Sequence, residues 1–101
     1  MAWTVYSVPT SKKAALDAAL ADDIVSRQSH TVRAAAALGG PADQTYVLVE
    51  GSTEGVRRAE ELLGPVGQKP AGTDGEAIYQ KIKAEQESAS AGMGLFFTED
   101  A

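Results

Sequence analysis

The chain has 101 residues, which is the length of one average domain and leaves no room for two independent cores. It contains no cysteine, so disulfides, thiolate metal sites and cysteine nucleophiles are excluded. Its formal net charge of −5 disfavours binding to the phosphate backbone of a nucleic acid, which depends on clustered lysines and arginines.

The chain opens with a predicted strand and helix. Residues 3–8 are rich in β-branched and aromatic side chains and stop at Pro9, which predicts a strand. Three aliphatic residues then recur at intervals of four: Leu16, Leu20 and Ile24. This spacing places them on one helix face and predicts a helix from about 11 to 26, capped by Thr10 or Ser11.

Residues 30–38 fit two alternatives. Their alternating pattern is typical of a strand, whereas a run of four alanines favours a helix by propensity. The residues that follow favour the strand, because 39–43 form a turn cluster and 45–50 are the clearest strand in the chain. We therefore expect a hairpin around this turn, with a helix at 30–38 as the alternative.

A second helix is predicted after the third strand, which Gly51 ends. Ser52 or Thr53 is expected to cap this helix, and four apolar residues form its buried face. The residues of that face are Val56, Ala59, Leu62 and Leu63. A glycine and a proline then end the helix, and 66–70 predict a weak fourth strand whose prolines restrict it to a sheet edge.

A third helix is predicted to begin at Thr73, which forms a capping box with Glu76, and to end at the glycines of 92–94. An apolar tripeptide and an acidic tail follow. The tripeptide is Leu95, Phe96 and Phe97. It is expected either to fold back on the sheet or to dock on a protein partner or a second copy of the chain, because extended apolar segments can add to a sheet edge.

The order of elements is strand, helix, strand, strand, helix, weak strand. This order resembles the split βαβ, or ferredoxin-like, pattern, an α+β fold with an antiparallel βαββαβ sheet and helices on one face. We expect residues 1–72 to form this core. Residues 73–101 then add a C-terminal helix and tail packed on the same domain.

One stretch resembles a known family passage. Residues 47–63 read VLVEGSTEGVRRAEELL and are similar to the strand-to-helix passage of KH and ACT-type domains. The KH resemblance implies an RNA-binding surface, for which the candidate contacts are arginines. These are Arg27, Arg33, Arg57 and Arg58. The net charge counts against this alternative.

Motifs for catalysis and cofactor binding are missing from the sequence. His30 is the only histidine, so one chain cannot form a histidine-based metal cluster. Neither GxGxxG nor GxxxxGK[ST] occurs. We expect no catalytic residue, metal or cofactor. The alternative, by fold analogy, is a cofactor-free enzyme of the dimeric α/β-barrel kind, in which His30 acts with aromatic residues. These are Trp3, Tyr6 and Tyr46.

The first functional hypothesis is therefore a non-enzymatic interaction or regulatory module. It is expected to act as a homodimer or with a protein partner, through exposed sheet edges or the apolar tripeptide. The chain start shows no secretory signal, and no apolar run approaches the length of a membrane span. We accordingly expect a cytoplasmic protein that does not contact a membrane.

Overall fold

The computed structural model describes the backbone of residues 2–100 and the side chains of residues 2–86. It has the predicted α+β composition, with three strands and three α-helices among these residues. They are β1 (Ala2–Pro9), α1 (Lys13–Leu20), β2 (Ser29–Ala34), β3 (Gln44–Gly51), α2 (Thr53–Leu63) and α3 (Thr73–Asp100). In the part of the chain that is described, no helix combines the length and the apolar character that crossing a membrane requires.

The strands form one antiparallel sheet in the order β1-β3-β2, so β3 lies in the centre. Leu48 of β3 lies opposite Val5 of β1 on one side and opposite Thr31 of β2 on the other. The pairing of β2 with β3 confirms the predicted hairpin. Because β1 and β2 both run antiparallel to β3, they run parallel to each other, and α1 connects two strands that are not neighbours.

The fourth strand predicted at 66–70 is not present in the described structure. Only Gln68 pairs with β1, in a single antiparallel bridge to Ser7 whose two N–H···O=C distances are 2.8 and 2.9 Å. Pro70 has no N–H to donate, which limits further pairing. A ferredoxin-like βαββαβ sheet is therefore not confirmed, since only three strands are found among residues 2–100.

The core is divided into two clusters, one on each face of the sheet, because side chains alternate along the strands. The larger cluster lies between the sheet and α1 and α2, on what we call the helix-pair face. Its strand residues are Tyr6, Val8, Val47 and Val49. The smaller cluster lies on the opposite face, the α3 face, and its residues are Val5, Leu48, Ile78 and Ile82. The C-terminal helix thus covers the face that α1 and α2 leave open.

α1 is shorter than the helix predicted from 11 to 26, because it ends at Leu20. Ile24 has the spacing of the buried stripe, yet it is 39% exposed. The carboxylate of Asp22 accepts hydrogen bonds from the backbone N–H groups of Ile24 and Val25 at 3.1 and 3.3 Å. A short side chain that bonds to nearby backbone N–H groups competes with helix continuation, and a separate 3₁₀ turn begins here.

The helix caps predicted from the sequence have different outcomes. α2 is capped by Ser52, whose hydroxyl accepts a hydrogen bond from the N–H of Gly55 at 3.0 Å, so this prediction is confirmed. α1 has Lys12 at its N-cap position and no side-chain cap. Thr10 and Ser11 were the wrong choice, since both lie in a 3₁₀ turn that precedes the α-helix.

Residues 30–38 contain parts of both predicted alternatives. β2 continues to Ala34, as the strand prediction requires, and Ala35–Leu38 then form a 3₁₀ turn. Ala35 is fully buried in this turn. Gly39 follows with a φ of 81°, a left-handed conformation that glycine adopts without steric cost. The strand prediction was therefore wrong for the last four residues.

Candidate functional site

The outer edge of β2 is a strand edge without a pairing partner in the described part of the chain. β2 pairs with β3 on one side only, and this pairing is continuous from Ser29 to Ala34, so no bulge interrupts it. The strand also lacks proline, lysine and carboxylates, residues that commonly protect exposed edges. This edge is open to pairing with another strand. The outer edge of β1, by contrast, is partly occupied by the Gln68 bridge.

The single charge on β2 is compensated within the chain. Nε of Arg33 lies 2.8 Å from Oε1 of Glu85 on α3, and Nη1 donates to the Val32 carbonyl at 2.9 Å. The exposed residues of the strand are Ser29, His30 and Ala34. The β2 edge is consequently a nearly neutral strip on a chain whose net charge is −5.

Gln28 fixes the start of β2 to the start of α2. Its side-chain nitrogen donates to the Ile24 carbonyl at 3.1 Å, and its side-chain oxygen accepts from the Ser52 N–H at 3.1 Å. A Cβ at Gly51 or Gly55 would overlap the Gln28 side chain, so the two glycines make room for it. The start of the edge strand is therefore tied to the start of α2, in addition to its pairing with β3. In the sequence, the only sign of this contact is the pair of glycines.

The four arginines proposed as RNA contacts do not form one surface. Arg33 lies on β2 and reaches α3, on one face of the sheet. Arg57 and Arg58 lie on α2, which covers the opposite face. The structure thus separates the arginines that a single phosphate-binding patch would have to bring together.

Three of these arginines are paired with carboxylates. Arg33 pairs with Glu85, and Arg27 pairs with Asp23 at 3.3 Å. Arg58 lies 3.2 Å from Asp22, and its hydrogen bond lowers the pKa of the Asp22 carboxyl below the ordinary value. An arginine whose charge is compensated by a neighbouring carboxylate attracts a phosphate less. The geometry therefore does not favour the RNA-binding alternative.

The residues proposed for a dimeric α/β-barrel enzyme also lie apart. His30 and Tyr6 are paired with Val49 and Val47, so they point to the helix-pair face. Trp3 and Tyr46 lie on the α3 face, where the Trp3 ring stacks on Tyr79 at a centroid distance of 4.4 Å. The two pairs are on opposite sides of the sheet and do not build one site.

Glu60 of α2 joins the helix to β1 and to the segment after α2. The buried Thr4 hydroxyl donates to Oε2 of Glu60 at 3.0 Å, and the Lys69 ammonium forms an ion pair with the same oxygen. Burial raises the pKa of Glu60, but the hydrogen bonds from Lys69 and Thr4 and the charge of Lys69 outweigh it, and the pKa is lowered. No sequence pattern indicates this cluster, since Thr4 and Glu60 are 56 positions apart.

A cavity of about 510 Å³ lies on the α3 face, at the start of α3. The part of the wall outside α3 comes from Ser7, 38–40, Tyr46 and 68–71. Four residues of α3 line the cavity: Asp74, Ala77, Ile78 and Lys81. Their spacing of three, four and seven positions places them on one side of the helix. The sequence did not predict this cavity, because its wall is assembled from segments that are far apart in the chain.

The apolar tripeptide proposed as a docking segment is Leu95, Phe96 and Phe97. These positions fall within the bounds of α3, which continues past the glycines of 92–94 where the helix was predicted to end. Their side chains lie outside the described residues, so the tripeptide as a docking segment stays a prediction.

Comparisons of this chain with protein-family models, with curated proteins and with solved structures gave no match. Within residues 2–86, no group of three or more histidine, cysteine, aspartate or glutamate side chains is arranged to hold a metal ion. The β2 edge and the cavity on the α3 face are therefore the two features from which we infer function.

Proposed function

We propose that this chain is a non-enzymatic interaction module that forms a homodimer through the outer edge of β2. Antiparallel pairing of two β2 strands joins the sheets of two copies into one continuous sheet. The observation that carries the proposal is the unpaired, bulge-free and carboxylate-free edge of this strand. Pairing gives new partners to backbone N–H and C=O groups that otherwise bond to water.

The charge distribution supports a second copy of the chain as the occupant of this edge. Two molecules that each carry a net charge of −5 repel each other over most of their surfaces. Ser29–Ala34 contain no carboxylate, and the charge of Arg33 is compensated by Glu85. Two β2 edges can therefore approach without bringing carboxylates of the two strands together.

The position of α3 also favours edge pairing over a dimer that packs sheet against sheet. One face of the sheet is covered by α1 and α2, and the other is covered by α3 through Ile78 and Ile82. A face-to-face dimer requires one of these helical layers to move away. Pairing along the β2 edge requires no such change, which is the usual case for preformed interfaces.

We further propose that the fold is ferredoxin-like with a reduced fourth strand. The Ser7–Gln68 bridge lies on the outer side of β1, and in the sheet order β1-β3-β2 this is the side on which a fourth strand can be added without covering β2. In this arrangement the β1 edge is partly closed by the chain itself. The β2 edge is then the one left for a partner.

Size-exclusion chromatography with light scattering tests the dimer on the full chain. We expect the mass of two chains for the parent protein. The double variant His30→Lys with Ala34→Lys adds two ammonium groups at exposed positions of the β2 edge, where like charges from two copies meet. This variant is expected to be a monomer that keeps its thermal unfolding transition.

The matched control is Ala14→Lys with Ala18→Lys, which makes the same charge change at exposed positions of α1 and is expected to remain a dimer. A parent chain that is a monomer at its highest soluble concentration overturns the proposal. So does a lysine variant of β2 that stays a dimer. If a chain ending at Gly92 dissociates instead, the interface lies at Leu95–Phe97 and not at β2.

A further inference from the structure

We propose that the cavity on the α3 face binds a short zwitterionic peptide, with the peptide ammonium group at Asp74 and its carboxylate at Lys81. The cavity volume of about 510 Å³ falls within the range of small-ligand sites, roughly 300–1,000 Å³. The cavity lies away from the β2 edge, so this inference is independent of the proposed dimer.

The two charged residues stand at opposite ends of one helical stripe. Asp74 and Lys81 are seven positions apart on α3, which corresponds to about 10 Å along the helix axis. The Asp74 carboxylate has no hydrogen-bond or ion-pair partner among the described residues. Lys81 donates one hydrogen bond to the Leu38 carbonyl at 3.2 Å, which holds its ammonium group at the cavity wall. Its other two N–H donors remain for a ligand.

The wall between these charges contains both polar and apolar groups. Its polar side chains besides Tyr46 are Ser7, Gln68 and Lys69, and Lys69 is paired with Glu60. Its apolar residues are Leu38, Pro70, Ala71, Ala77 and Ile78. The Tyr46 hydroxyl lies beside Gly40, and a side chain at position 40 would overlap it. It has no hydrogen-bond partner among the described residues, and as both donor and acceptor it suits a peptide N–H or C=O group. The cavity thus offers opposite charges at the two ends of α3's stripe, with apolar side chains and the Tyr46 hydroxyl between them.

The separation of the charges selects a peptide over a single amino acid. The ammonium and carboxylate groups of an amino acid are attached to the same carbon, so it cannot reach both ends. An extended chain spans about 3.3–3.6 Å per residue, so a di- or tripeptide covers roughly 7–10 Å. This length is comparable to the separation of Asp74 and Lys81 along α3.

An NMR titration of the full-length chain with Ala-Ala tests the proposal. We expect shifts of the backbone amides of Gly39, Gly40 and the first turns of α3. Acetyl-Ala-Ala lacks the ammonium group and Ala-Ala-amide lacks the carboxylate. Each is expected to bind about two- to five-fold more weakly, as for the loss of one partly exposed ion pair.

Two variants assign the charges to their ends of the cavity. In Asp74→Asn the weakening caused by acetylation disappears, while in Lys81→Met the weakening caused by the amide disappears. Glu76→Gln is the matched control, since Glu76 is exposed on α3 and does not line the cavity.

Absence of shifts at the cavity with all three peptides overturns the proposal. Equal binding of the three peptides overturns it as well, because the charges then play no part. Thermal unfolding of each variant verifies that it is folded.

Discussion

Gly67 lies against the outer edge of β1, next to the residue that bridges to Ser7. A Cβ at this position would lie 2.5 Å from the Ser7 carbonyl oxygen and 2.8 Å from Cγ2 of Val8. Because one of these atoms belongs to the backbone, the segment has to move away from β1 to relieve the overlap. We predict that Gly67→Ala lowers the free energy of unfolding by about 1–3 kcal/mol. Urea denaturation followed by the fluorescence of Trp3 measures this change.

Gly75 is the control for this substitution, because the same change is predicted to have the opposite sign there. A Cβ at Gly75 would lie 3.5 Å from its nearest neighbour, the Pro70 carbonyl oxygen, which is an ordinary contact. The residue lies in α3, where alanine is more favourable than glycine by roughly 0.5–1 kcal/mol. A Gly67→Ala protein as stable as the parent would contradict the close approach of this segment to β1.

The Glu60 cluster predicts how stability depends on pH. The pKa of Glu60 is lower in the folded chain than in the unfolded one, because burial raises it less than the hydrogen bonds from Lys69 and Thr4 and the charge of Lys69 together lower it. The stabilisation is therefore present above the unfolded pKa of about 4.3 and is lost as the pH falls through the lower folded value. We predict that Glu60→Gln removes no more than about 1 kcal/mol near neutral pH and flattens the stability profile below pH 4.

Glu61→Gln is the neighbouring control for this experiment. Glu61 is also on α2, but its side chain is 59% exposed and, among the described side chains, pairs only with Arg58. We expect its acid profile to follow that of the parent chain. Urea unfolding at a series of pH values between about 3 and 7 gives both profiles. Identical profiles for the Glu60→Gln variant and the parent would show that Glu60 does not stabilise the fold.

At the scale of elements, signals carried by adjacent residues predicted the boundaries best. β3 and α2 were predicted to within about a residue at their junction, because Gly51 and Ser52 end one element and cap the next. α1 was predicted too long, since the spacing of Leu16, Leu20 and Ile24 does not reveal that the Asp22 carboxylate bonds to the backbone beyond it. Apolar spacing shows that a helix exists but not where a side chain ends it.

The elements that were missed depend on contacts between distant segments. The alanines after β2 form a 3₁₀ turn in which Ala35 is buried, and helix propensity alone does not reveal this. The segment 66–70 meets β1 at one residue pair only, although its pattern resembles a strand. For the same reason the sequence predicted exposed sheet edges in general, whereas the identification of β2 as the unpaired edge required the strand order. The cavity and the Glu60 cluster could not be predicted at all.

At the scale of the whole molecule, α3 belongs to the structure that stabilises the sheet. Ile82 is fully buried against the α3 face, and Lys83 forms an ion pair of 2.8 Å with Glu50, which is only 8% exposed. Further along α3, the Gln86 side chain donates to the Thr31 hydroxyl at 2.9 Å. These contacts reach both β3 and β2. The sequence predicts a core of residues 1–72 with a C-terminal helix packed on the same domain, and these contacts describe how α3 packs on the sheet.

We predict that a chain ending at residue 72 does not unfold cooperatively and binds the dye ANS. Its sheet exposes Val5 and Leu48, and it loses the burial of Ile78 and Ile82. Burying one such side chain contributes about 1.5–3 kcal/mol, which is large beside a typical total stability of about 5–15 kcal/mol. A chain ending at residue 86 is the matched control, because it retains the described contacts of α3, and it is expected to keep a single thermal transition. A cooperative transition in the 1–72 chain, seen by circular dichroism without ANS binding, would instead show that the first 72 residues fold as an independent domain.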